Sequence, residues 1–307
     1  MSSTPGKLFC FGYGYCCDYL GYTLLAQEGQ WTVAGTTRDL EKQILMRENG
    51  IKSYVFDHSK PLDDPQLFFS GVTHLLISTP PSDDGDLTFN MHADDILKIP
   101  TLKWVGYLSS TGVYGDKDGE WVDEMTELSP NSKRGSRRAK AEDQWLSLYK
   151  SHGLPVHIFR LAGIYGPGRS ALDSVRAGYA RRISKPGHAF SRIHVEDIVQ
   201  VLEASMNNPA PGEIYNIADD LAAPSHEVID YACQLLGLQS MPIIPFEEAD
   251  MSPMARSFYA DNKRVHNDKI KNDLNVSLKH PNYRSGLEAC LIVEEEYQLR
   301  QISEVSI

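Results

Sequence analysis

Near the N-terminus an apolar strand runs into a glycine turn and directly out into a helix, and few folds accept that order of elements. Lys7–Gly12 (KLFCFG) is strand-like, and Tyr15–Glu28 follows with apolar residues at helical spacing. The loop between them, Gly12-Tyr13-Gly14-Tyr15-Cys16-Cys17, has the pattern glycine-x-glycine-x-x-small. The first glycine permits a tight turn, the second lets phosphates approach the backbone, and a small third residue lets helix and strand pack closely. Cys17 occupies the third place. The helix start adds open N–H groups and the positive end of a dipole, so the segment suits a pyrophosphate. A strand before and a helix after separate this pattern from a chance glycine turn.

The alternation continues. WTVAGTT, KSYVF, THLLIST, LKWVGYLS (Leu102–Ser109) and PVHIFRL (Pro155–Leu161) read as strands, with helices at Asp39–Glu48 and Ser132–Ser151. Continuous apolar strands separated by helices predict a parallel sheet covered on both faces, an α/β doubly wound sheet of the Rossmann type. After Tyr165 the rhythm loosens: Val195–Met206 and Pro224–Leu236 read as helices, EIYNIA as a strand, and PIIPF to Ser257 as irregular. Helices near Asn262–Leu274 and Tyr283–Arg300 close the chain. The expected division is a dinucleotide-binding domain over 1–165 and a smaller substrate lobe over 166–307. That lobe is interleaved with the first domain, because helix 195–206 and strand 213–218 rejoin the core.

The formal net charge of −11 disfavours a nucleic-acid binder, and no apolar run reaches membrane-spanning length. The N-terminus lacks a signal-peptide layout, so a cytoplasmic protein is expected. None of Cys10, Cys16, Cys17, Cys233 and Cys290 forms a C-x-x-C pair, and no His/Cys cluster has metal-ligand spacing, so no metal is expected.

The end of the second strand selects between cofactors. A carboxylate there would bond the ribose hydroxyls of NAD. This chain has Gly35-Thr36-Thr37-Arg38. Arg38 can pair with a 2′-phosphate, with help from Thr36 and Thr37, which predicts NADP over NAD.

Later segments extend the pattern: Asp57 after the third strand, then Ser109-Ser110-Thr111-Gly112-Val113-Tyr114-Gly115, Arg160-Leu161-Ala162-Gly163-Ile164-Tyr165-Gly166-Pro167-Gly168, and Ile193-His194-Val195-Glu196-Asp197. Together with the glycine loop, these make the chain resemble an extended or atypical short-chain dehydrogenase/reductase, the group that includes NAD(P)-dependent sugar epimerases and dehydratases. The resemblance runs nearly end to end. It implies that Gly12, Gly14 and Cys17 face the pyrophosphate and that Asp57 lies near the adenine. Ser78, Thr79 and Pro80 would line the nicotinamide-ribose side. Tyr15, Cys16, Ser109, Leu161 and Tyr165 are also expected on the cofactor side. Ser110 falls at the position of the family's active-site Ser/Thr. His194 and Asp197 are expected to fix a helix start, and a homodimer is implied through Ser132–Ser151 and Asp86–Leu97.

One departure matters. The family's Y-x-x-x-K pair falls on Ser132-Lys133-Arg134-Gly135-Ser136-Arg137-Arg138-Ala139-Lys140-Ala141-Glu142, which places Arg134 at the tyrosine and Arg138 at the lysine. A guanidinium stays protonated and accepts no hydrogen bond, so Arg134 cannot act as the usual acid/base. It can bind an anion or polarise a carbonyl. Arg138 can still donate to the cofactor ribose or a phosphate. The alternative is a solvated basic helix end neutralised by acids such as Glu142. Tyr259-Ala260-Asp261-Asn262-Lys263 repeats the pair's spacing far along the chain and is expected to be coincidental.

Two functions follow. One is an NADP-dependent oxidoreductase or epimerase/dehydratase-like enzyme for a small polar substrate, anionic or a sugar nucleotide. The other is an NADP-binding sensor or scaffold without turnover.

Overall fold

The computed structural model describes residues 5–305. Seven strands form one parallel sheet: β1 (Gly6–Phe11), β2 (Trp31–Thr37), β3 (Lys52–Val55), β4 (His74–Ile77), β5 (Trp104–Ser110), β6 (Val156–Leu161) and β7 (Ile214–Ile217). Their spatial order is β7-β6-β5-β4-β1-β2-β3. Strand order reverses at β1, with β2 and β3 added on one side and β4 onward on the other, which opens a crevice at the carboxyl ends of β1 and β4.

Alternation along each strand builds two cores. Leu8, Cys10, Leu76, Leu108 and Phe159 face one layer, with Leu20 and Leu24 of helix Tyr15–Leu25 and Ile198 and Leu202 of helix Val195–Asn207. Phe9, Phe11, Leu75, Val105 and Ile158 face the other, with Ile96 of helix Leu87–Ile96 and Trp145 and Leu148 of helix Lys133–His152. Both faces are therefore apolar, as an all-parallel sheet requires. A third cluster, including Leu172, Val228, Ile229 and Leu287, is built by residues after β6.

Two segments differ from the sequence expectation. The helix expected from Asn262 begins at Asp268, because Arg264–Val265 instead pairs in parallel with Trp121–Val122. The irregular segment after Met241 contains a short strand, Ile243–Pro245, paired with Arg182–Ser184, and a helix, Pro253–Phe258. In both cases the partner lies more than fifty residues away, beyond the reach of local periodicity. No described helix is long and apolar enough to cross a membrane.

Candidate active site

The glycine loop is built as its residues demand. Gly12 has φ +78°, a conformation that disfavours any side chain, and a Cβ there would stand 2.9 Å from Thr79 Cγ2. A Cβ on Gly14 would meet no protein atom nearer than 4.0 Å, so its smallness serves something other than packing. Gly14 is the N-cap of helix Tyr15–Leu25 and offers no side chain to the first-turn N–H groups. That open helix start fits the phosphates of a dinucleotide.

Thr36 and Thr37 sit elsewhere than expected. Both are buried, and their hydroxyls accept from the N–H groups of Gly12 (2.9 Å) and Asp39 (3.1 Å). They brace the loop, and Arg38 alone is exposed at the end of β2. Asp57 accepts from both the N–H and the hydroxyl of Ser59, which holds its carboxyl below the usual range. Thr79 shares a hydrogen bond with Thr88, and Pro80 is exposed.

A cleft of about 1060 Å³ opens at the carboxyl ends of β1, β4, β5 and β6. Its wall takes Tyr15, Cys16 and Ser78 from the loop side and Ser109, Ser110 and Leu161 from β5 and β6. Arg134, Arg138 and Tyr165 complete the expected residues found there. Gly135 makes this convergence possible: a Cβ would stand 2.5 Å from Gly112 O, so only glycine lets helix Lys133–His152 press against the turn after Ser110. Ser110 Oγ accepts from Gly112 N–H at 3.1 Å. Its own O–H remains free to donate.

The two arginines are held differently. Arg138 donates to the Leu108 carbonyl and lies 5.7 Å from the Tyr107 ring. Arg134 reaches across the cleft mouth, donating to Ser257 Oγ at 3.2 Å with its guanidinium 4.9 Å from the Phe258 ring. Glu142 does not neutralise the basic turn. It is 1% exposed and pairs with Arg160 at 2.7 Å while accepting from Ser109. Arg160 also donates to Tyr114 Oη, which donates to Asn216. This buried chain ties β5, β6 and β7 beneath the cleft floor. Sequence reasoning took Glu142 as a surface acid four residues from Arg138 and missed its burial.

The later lobe contributes further cations: Arg169, Arg181 and Arg192, which no motif announced, and Lys263 of the second Y-x-x-x-K line the same cleft. Lys263 is committed to Gly115 O at 2.8 Å and to Asp261. Tyr259 also lines the cleft, so the second Y-x-x-x-K lies in its wall, although not on the expected helix. Among the described residues, the arginines paired with carboxylates are Arg137, Arg160, Arg176 and Arg182. Arg134, Arg138, Arg169, Arg181 and Arg192 are not. Five arginines without acid partners in one wall of a chain with net charge −11 make a cationic cleft on an acidic protein.

His194 caps the helix start, and Asp197 ties that start to a later segment of the chain. His194 Nδ1 accepts from Glu196 N–H, and Asp197 accepts from the N–H groups of Lys279 and His280. Folding also brings His194, Glu196 and His280 together, with ligand-type atoms within 4.8 Å of one another. The Glu196 N–H donates to His194 Nδ1 and the Glu196 carboxylate accepts from His280 Nε2, which accounts for that geometry.

Asp219 follows β7 and is 3% exposed. Its Oδ1 accepts from Leu221 N–H at 3.2 Å, and its Oδ2 has no partner among the described residues. Burial pushes this acid up to about 8. The folded state thus holds a proton that the unfolded state releases, between the usual carboxylate range and about pH 8. Stability contributed by this group falls as pH rises through that window and levels off above it. In urea titrations, wild type should lose stability relative to Asp219→Asn between pH 5 and 8, by up to about 1.4 kcal/mol per pH unit. Parallel pH profiles for the two proteins would refute the assignment.

The family model for the NAD dependent epimerase/dehydratase family matches residues 96–218. Protein YeeZ of Escherichia coli (strain K12) is 30% identical over 250 residues, covering 76% of this chain and 85% of YeeZ. A solved structure from Silicibacter pomeroyi DSS, of a conserved protein described as functionally unknown, is 48% identical with a TM-score of 0.86. The match covers 94% of this chain and 98% of that one. The dTDP-glucose 4,6-dehydratase of Bacillus anthracis str. Ames, in complex with NAD, shares the fold at 18% identity, with a TM-score of 0.75 and coverage of 95% and 97%.

Proposed function

Because the chain belongs to the NAD dependent epimerase/dehydratase family, we propose that it is a nicotinamide-dinucleotide-dependent oxidoreductase or epimerase-like enzyme, NADP-preferring, for a small anionic substrate. The observation that carries this reading is a convergence. The open helix start after Gly14, the hydroxyl of Ser110 and five arginines without acid partners all meet at one cleft. A bound dinucleotide supplies hydride donation or acceptance. Ser110 orients the reacting oxygen through its free O–H, and the arginines hold the substrate's negative charge. In this reading Arg138, held by the Leu108 carbonyl, donates to the cofactor side. Relatives crystallised with NAD support a dinucleotide ligand. Arg38 supports NADP: it is exposed, and the adjacent Asp39 is spent on capping helix Leu40–Glu48 through Glu41 and Lys42 N–H. Five free, buried cysteines support a reducing, cytoplasmic setting.

A second reading has its own observation. Arg134, at the place of the family's acid/base tyrosine, is tied to Ser257 and Phe258, which favours an NADP-binding sensor without turnover. Titration with NADPH and NADH should give at least about a tenfold tighter constant for NADPH, equivalent to 1.4 kcal/mol. Equal affinities would refute the NADP preference. Hydride transfer on a panel of keto acids and sugar nucleotides should then appear in wild type and fall about a hundredfold in Ser110→Ala. Tight NADPH binding with no transfer on any member would favour the sensor.

A further inference from the structure

We propose that Arg192 and Arg169 form a carboxylate-binding subsite for a short-chain acid whose apolar stem enters a side compartment of the cleft. The proposal rests on the reading of the main cleft as a dinucleotide-dependent site. It adds the chemical class of the second ligand and the place where it is held.

The compartment measures about 160 Å³ and opens from the main cleft. Tyr165, Arg169, Arg192, Ser225 and Ile229 belong to the walls of both. The rest of its wall is mostly apolar, with Ala171, Val228 and Leu287. Two guanidiniums on the wall shared with the main cleft and alkyl groups on the rest match an acid with a short hydrocarbon stem.

Arg192 is set in place before any ligand arrives. Its Nη1 donates to the carbonyl oxygens of Phe190 and Ala223, each at 2.8 Å. Its Nε and Nη2 make no hydrogen bond to the described residues, which leaves one edge of the planar fork for a two-oxygen partner. Carbonyl oxygens orient the guanidinium without neutralising its charge. Burial pushes the carboxyl of the nearby acid, Asp219, up to about 8, which weakens it as a countercharge to Arg192. Arg169 carries its guanidinium 5.6 Å from the Tyr15 ring and has no carboxylate partner among the described residues. Arg169 is exposed, whereas Arg192 is partly buried, and for Arg192 a bound carboxylate offsets the cost of a desolvated cation without a counterion. The free Nε and Nη2 edge of Arg192 matches the two oxygens of a planar carboxylate, and the apolar wall favours an acid that carries an alkyl stem over inorganic phosphate.

Calorimetric titration of the full-length, NADPH-loaded protein with propanoate, butanoate and 2-oxobutanoate tests this. Methyl butanoate, butanamide and propyl phosphate serve as contrasts. The acids should bind and the neutral contrasts should not. Arg169→Gln and Arg192→Lys should each weaken acid binding at least about tenfold. Val228→Phe, which fills the compartment without altering charge, should weaken butanoate more than propanoate and leave NADPH binding intact. It also decides the matter if Arg192→Lys does not fold. Binding of the ester or amide as tight as that of the acid would overturn the proposal. So would a preference for propyl phosphate, an absence of acid binding, or acid affinities unchanged in Arg169→Gln and Val228→Phe. If NADPH fails to bind wild type while butanoate still binds through Arg169, the dinucleotide reading falls and the subsite stands.

Discussion

Glu142→Ala should destabilise the protein by about 3–5 kcal/mol, because it leaves the Arg160 guanidinium buried without its counterion. Arg160 is 3% exposed and Glu142 1%, so water cannot replace the lost partner. The carboxylate takes three donations from Arg160 and one from Ser109, and all four bonds vanish together. At about 2–4 °C per kcal/mol for a chain of this size, the thermal midpoint should fall by roughly 10 °C. Glu142→Met combined with Arg160→Met should cost less than the two single changes summed, since neither leaves an orphan charge. A Glu142→Ala protein that melts with wild type would show that the pair contributes no net stability. The consequence for function is positional. Ser109 lines the cleft beside Ser110, and without its acceptor the end of β5 loses a restraint directly beneath the candidate site.

Gly12→Ala and Gly14→Ala should separate fold from ligand at the glycine loop. Alanine at 12 must adopt φ near +78° with its methyl 3.0 Å from Thr79 N, so the change costs about 1–3 kcal/mol of backbone strain and distorts the loop. NADPH binding should fall at least about a hundredfold, a loss of roughly 2.7 kcal/mol. Alanine at 14 has φ −104° and meets nothing within the protein, so thermal stability should stay near wild type. Its methyl projects where the phosphates approach, and NADPH affinity should still drop about tenfold or more. Wild-type NADPH affinity in Gly14→Ala would mean that the loop does not face the pyrophosphate.

Much of the architecture was legible because local chemistry specifies it. The seven strands of the sheet are all visible as apolar runs, since a strand buried on both faces needs no distant information to declare itself. The helix starting at Tyr15 follows from the glycine turn, and the helix at Lys133–His152 from its Ser132 N-cap and Gly153 terminus. Ser110, Arg134 and Arg138 could be placed at the cleft because each stands at a fixed offset from a strand or turn.

Pairings across long separations were not legible. Trp121–Val122 and Arg264–Val265 are ordinary residues until a parallel ladder joins them. Thr36 and Thr37 looked like ligand hydroxyls in sequence, but the fold buries both, with their oxygens accepting from the N–H groups of Gly12 and Asp39. Glu142 looked like a partner for Arg138, four residues away on one helix face. Burial against β6 gave it to Arg160 instead.

By itself, then, the sequence determined a doubly wound sheet and a glycine loop suited to a dinucleotide, and it set arginines at positions 134 and 138 of the long helix. Those features depend on residue type and spacing along one chain. Only the tertiary structure decided which charges are neutralised. It buried Glu142 with Arg160, weakened Asp219 as a countercharge to Arg192, and gathered five arginines without acid partners at one cleft. Charge balance is set by distance and burial in space, and neither can be read from positions along the chain.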